Sequence, residues 1–75
     1  MILFAVHKTF DCMDYNEHHY FATREEAEAC FAENRNRIKE AELVTETYTD
    51  TDDVLYVQYE DGSEKIYLEE IYIPK

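Results

Sequence analysis

Side chains able to bind metal or act as nucleophiles cluster between positions 7 and 19, among them His7, Asp11, Cys12, Asp14, His18 and His19. Imidazole, thiolate and carboxylate are the donor groups that hold zinc and related ions. Their spacing follows no zinc pattern. On one strand His18 and His19 must also point to opposite faces, so those two cannot share an ion without distortion. The expectation is surface histidines with no resident metal. Thiol chemistry is poorly supported too, because Asp11 and Asp14 beside Cys12 disfavour its thiolate and Cys30 falls on an apolar helix face. Gly62 is the only glycine, which leaves no glycine-rich phosphate loop or dinucleotide fingerprint. Asp50, Asp52 and Asp53 offer oxygen ligands for calcium or magnesium, yet they lack the turn glycine and distal glutamate of the helix-loop-helix calcium motif. They read as a solvated turn. The chain is therefore expected to be non-enzymatic, with no catalytic residue, cofactor or metal ligand.

Acid and tyrosine are the other chemistry on offer. Residues 43–75 hold nine acidic side chains against two basic ones, a local charge of −7, together with five of the seven tyrosines. Tyrosine gives large contact area at low entropic cost, and carboxylates around it complement a basic surface. The same pattern also solubilises a sheet and discourages edge pairing. Tyr56, Tyr67 and Glu69, with Asp50, Asp52 and Asp53 nearby, are the predicted partner contacts.

The elements that must position these groups follow from periodicity. Residues 2–10 are rich in β-branched and aromatic types and read as a strand, residues 17–21 as a short second one, with turn residues Asp11 to Asn16 between them. Thr23-Arg24-Glu25-Glu26 has capping-box spacing, in which the Thr23 hydroxyl accepts from the Glu26 amide and the Glu26 carboxylate returns to the Thr23 amide. The helix that starts there, over residues 23–42, presents Ala27, Cys30, Phe31, Asn34, Ile38 and Ala41 on one narrow face. Its acidic start, basic end and Glu33–Arg37 spacing all favour the helix itself. Residues 43–49 read as a strand and Asp50 to Asp53 as a turn. Residues 54–60 and 63–73 flank Asp61-Gly62, the signal for a type I′ hairpin. That tip sets Tyr56 opposite Tyr67 and Leu55 opposite Leu68. Leu55, Val57, Ile66 and Leu68 then share the core face, while Tyr56, Gln58, Lys65, Tyr67 and Glu69 face solvent. The alternation would carry Glu70 inward, so a bulge is expected at Glu69-Glu70.

The fold expected is α+β: one domain over residues 1–75, with a mostly antiparallel sheet of three to five strands and one helix across one face. Its core should hold Phe4, Val6, Phe21, Ala27, Phe31, Ile38, Leu55, Val57, Ile66 and Leu68. So small a domain removes only ~60% of its unfolded surface from water, which leaves little room for a large internal cavity. Eighteen acidic against seven basic residues give a net charge of −11, which disfavours direct binding to nucleic acid or an anionic membrane. The first ten residues carry neither the charge pattern of a leader nor the length of a span, and two cysteines without close pairing fit reduced thiols in the cytoplasm. In size and charge the chain resembles the short acidic proteins that phages and mobile elements use against host defence, including DNA mimics and anti-CRISPR proteins. No motif carries that resemblance and no functional position transfers from it. The function expected is a protein-binding module for a partner with a basic surface, in its most concrete form an inhibitor of a nucleic-acid-processing protein. The alternative is a homodimerising structural domain whose acid merely solubilises it.

Overall fold

β-Branched and aromatic residues build an antiparallel sheet of five strands: β1 (Ile2–Phe10), β2 (Tyr15–Phe21), β3 (Glu46–Asp50), β4 (Val54–Tyr59) and β5 (Gly62–Tyr72). The spatial order is β2-β1-β5-β4-β3, and one helix, α1 (Arg24–Glu40), crosses a single face. The computed structural model describes residues 1–11 and 15–74. Cys12, Met13 and Asp14, in the loop expected between β1 and β2, lie outside the described residues.

Helix α1 starts where its capping residues place it. Thr23 has an extended backbone and its hydroxyl accepts from the Glu26 amide. The Glu26 carboxylate accepts from the Thr23 hydroxyl at 2.9 Å, where the capping-box pattern predicts a bond to the Thr23 amide. Glu25 and Glu26 occupy the first turn, and Arg37 and Lys39 the last, which complements the helix dipole. The chain leaves the helix through Glu42, whose φ of 55° is the one positive value at a non-glycine residue among those described.

Alternation along the strands makes two faces of different character. Toward α1 the sheet presents Val6, Leu55, Val57 and Ile66, which close around Ala27, Phe31 and Ile38, with Phe4, Phe21 and Leu68 packed partly buried against them. Of the ten predicted core residues, seven form this buried cluster and Phe4, Phe21 and Leu68 pack against it partly exposed. Asn34, buried on the same helix face, donates to the Cys30 carbonyl at 2.8 Å. Cys30 is partly buried there, and that burial pushes its thiol pKa up. Ala41 caps the helix and is exposed.

Two register details differ from expectation. The β4–β5 hairpin turns at Glu60-Asp61, with Tyr59 opposite Gly62, so Tyr56 lies opposite Lys65 and Leu55 opposite Ile66. Gly62 has no positive φ, and a type I′ turn needs positive φ at both central residues. The shift is two residues, which keeps every side chain on its expected face, and it sets the buried Leu55 and Ile66 directly against each other. The second difference is that β5 pairs with β1 unbroken from Ile2 opposite Tyr72 to Phe10 opposite Glu64, with no bulge at Glu69-Glu70. Glu70 does fall on the helix side. It lies past the core, exposed, and bonds Arg24 at 2.7 Å. The bulge occurs instead in β3, between Thr47 and Thr49.

Leu55 and Ile66 rank among the largest fully buried side chains. Leu55→Ala should therefore cost about 2–5 kcal/mol in denaturant unfolding, whereas Tyr72→Ala, at an exposed strand end, should stay within about 0.5 kcal/mol.

Candidate docking face

The face of the sheet turned away from α1 has no covering element among the described residues, and each strand contributes one ring to a belt across it. His18 of β2, His7 of β1 and Tyr67 of β5 sit directly opposite one another in register. His7 meets His18 edge-on, with ring centroids 4.7 Å apart, and stacks on Tyr67 at the same distance. Lys65 lies over the Tyr67 ring at 5.2 Å and pairs in register with Tyr56. Tyr56 in turn packs against Tyr48 of β3 at 5.0 Å. The predicted Tyr56–Tyr67 pair is thus diagonal, because the turn at Glu60-Asp61 places Lys65 where Tyr67 was expected. The Tyr48 hydroxyl bonds the Gln58 side chain.

Alternation extends this face toward the end of the sheet through Leu3, Ala5, Ile71 and Tyr20. Ala5 opposes Tyr20 on one side and Glu69 on the other. Tyr20 is 58% exposed while Ala5 is fully buried, so larger neighbours shade a small residue in the middle of an otherwise uncovered surface.

The structure divides the predicted contact set. Tyr56, Tyr67 and Glu69 share the uncovered face. Asp50 does not: it turns to the helix side, where Arg35 donates to it at 2.5 Å and Lys39 at 2.7 Å. Those two cations hold its carboxyl below the usual aspartate range, with the Lys39 hydrogen bond contributing most. Asp52 and Asp53 line a groove with Arg24, Phe31 and Arg35 on the helix side, and the Thr51 hydroxyl donates to Asp53 at 3.0 Å. The acid and the tyrosines, adjacent in sequence, are therefore largely separated in space. Of the nine carboxylates in residues 43–75, register and alternation place only Glu46 and Glu69 on the tyrosine face. Glu64 is on the helix side, accepting from the Tyr59 hydroxyl at 2.6 Å. Burial, reinforced by that bond, holds the Tyr59 pKa well above the ordinary tyrosine value.

His7 corrects the expectation of surface histidines, since it is only 7% exposed. The stacked Tyr67, the neighbouring His18 and the Glu69 carboxylate, 2.6 Å from its Nε2, close around it. His18 is exposed, as expected, and its Nδ1 lies 2.5 Å from the Nδ1 of His7. His19 points to the other face and bonds Glu17. Reading His18 and His19 as opposed was right, but the relevant pair is His7 with His18. Only the β1–β2 register reveals it. Among the described residues no three ligand-type side chains converge on one point, and no helix is long and apolar enough to cross a membrane.

The chain matches no protein-family model, and no curated protein and no solved structure matches it. The functional reading rests on the face itself.

A carboxyl pKa lowered by folding stabilises the fold above the unfolded pKa, and that stabilisation is lost as pH falls through the folded pKa. Asp50→Asn should accordingly lower stability at pH 7 by no more than about 1 kcal/mol. The deficit should begin to shrink as pH falls below ~4, vanish only below the lowered folded pKa, and shrink in high salt. Unfolding curves of the two proteins across pH and salt measure it.

Proposed function

We propose that this chain is a non-enzymatic protein-binding module that docks through the uncovered sheet face onto a partner with basic residues around its contact surface. The observation that carries the reading is the ring belt, with one aromatic or imidazole side chain from each of the five strands on a face that no helix covers among the described residues. Aromatic side chains concentrate binding energy, and a polar rim around them sets orientation. Glu69 and Glu46 lie on this face, while Asp52, Asp53, Glu60 and Asp61 sit in turns at the strand ends. The net charge of −11 attracts a basic partner from a distance.

The most concrete form of this function is an inhibitor that occupies the basic surface of a nucleic-acid-processing host protein, as DNA mimics and anti-CRISPR proteins do. Carboxylates would stand against cations that otherwise meet phosphates, so binding would weaken as salt rises. The cytoplasm is the compartment this implies, with no direct nucleic-acid binding by the chain itself and no cofactor. Capture from host lysate at low and high salt tests it. The expected result is one basic partner, released by salt and bound at least about tenfold more weakly by a folded Tyr56→Ala, Tyr67→Ala double mutant. Retained affinity in that mutant would rule the face out.

A second reading, a homodimer, is supported by strand β2. It forms one edge of the sheet without a bulge, whereas the other edge strand, β3, is bulged. An unbulged edge is a template for pairing with a second copy about a twofold axis. On this reading the mass measured by light scattering should rise with concentration toward twice the monomer value, and Asn16→Pro on β2 should abolish the rise. A constant monomer mass would dismiss it.

A further inference from the structure

We propose that His7 and His18 form a binding site for a borderline divalent transition metal, zinc or copper(II), which both residues ligate through Nδ1 while Glu69 holds the His7 ring. The site goes beyond the docking reading and does not depend on it.

The protonation pattern of the three groups follows from their hydrogen bonds. A carboxylate only accepts, so the 2.6 Å contact between Glu69 and His7 Nε2 requires the proton on that nitrogen. In the neutral ring the His7 Nδ1 lone pair is then free and aimed at His18 Nδ1, 2.5 Å away, which must donate. His7 is thereby prepared as a ligand. Its far N–H is fixed by a carboxylate, the arrangement that orients metal-binding histidines and makes them more basic. Its ring is also clamped by the Tyr67 stack, with only 25° between the planes. The nitrogen that would bind metal is oriented before any metal arrives.

His18 supplies the adjustment. Two nitrogen ligands about 2.0 Å from a tetrahedral ion stand about 3.3 Å apart, wider than the 2.5 Å separation here. His18 lies on edge strand β2 and is exposed, so its ring can swing outward. Its Nδ1 proton leaves and Nε2 takes up a proton from solvent, which exchanges one neutral tautomer for the other and balances without net proton release. The remaining coordination positions open onto the uncovered face, where water can fill them. Imidazole nitrogens select zinc, copper or nickel over magnesium and calcium, which prefer oxygen. His19 cannot join, because it projects to the opposite face beside Glu17.

The test is titration of untagged, chelator-treated protein with zinc chloride, followed by calorimetry and by histidine-ring nitrogen NMR. The expected result is one saturable site at which the Nδ1 signals of His7 and His18 shift together while those of His19 do not move. His18→Ala should weaken binding at least tenfold, and Glu69→Gln, which leaves both ligands in place, by about tenfold or more. His19→Ala should change nothing. Because His18 and Glu69 are exposed, neither variant threatens folding as His7→Ala would. Undiminished affinity in His18→Ala, an equal response from all three histidines, or no saturable binding would overturn the proposal, leaving the two rings joined by a hydrogen bond alone.

Discussion

β1 and β5 pair without interruption from Ile2 opposite Tyr72 to Phe10 opposite Glu64, and both faces of the molecule depend on that register. It joins two strands separated by most of the chain at the centre of the sheet. Phe4, Val6, Ile66 and Leu68 are thereby set on one side and Ala5, His7, Tyr67 and Glu69 on the other. A slip of one residue would exchange the two sets and expose the core. β2 and β4 add outward from this pair, and the single helix closes over the apolar side. Among the described residues one helix covers one face, and the other is left to solvent or to a partner.

The charge distribution follows the same geometry. Glutamates on α1 and acidic residues in the turns carry much of the negative charge. On α1 itself Arg24 pairs with Glu28 and Arg37 with Glu33, and helix cations also reach strand carboxylates, Arg35 and Lys39 meeting Asp50 and Arg24 meeting Glu70. Strand β5 tolerates Glu69 and Glu70 without a bulge because each has a separate outlet, His7 on one face and Arg24 on the other. A doublet that looks like a break in the alternation is a pair of cross-element contacts. The ring belt is consequently less acidic than the segment that contributes most of it.

Much of the fold was legible in the residues. The helix start at Thr23 was encoded by local hydrogen bonding, and the core set by alternation and helical spacing, both properties of neighbouring positions. The hairpin tip was misplaced because Asp61-Gly62 is a strong local signal that long-range pairing overrides. The observed register sets buried Leu55 opposite Ile66 and gives up the favoured turn. The site was less legible. Tyr56, Tyr67 and Glu69 share the predicted face, but the Asp50 side chain was captured by two helix cations that lie far from it in sequence.

The sequence by itself determined which residues are helical, which alternate, and that a strongly acidic α+β domain results, because those are consequences of local propensity and composition. Only the tertiary structure decided that His7 is buried, that it meets His18 and Glu69, and that five rings line up across five strands. These contacts join positions up to 62 residues apart. They depend on strand order and register, which are set by the packing of the whole core rather than by any neighbouring pair of residues.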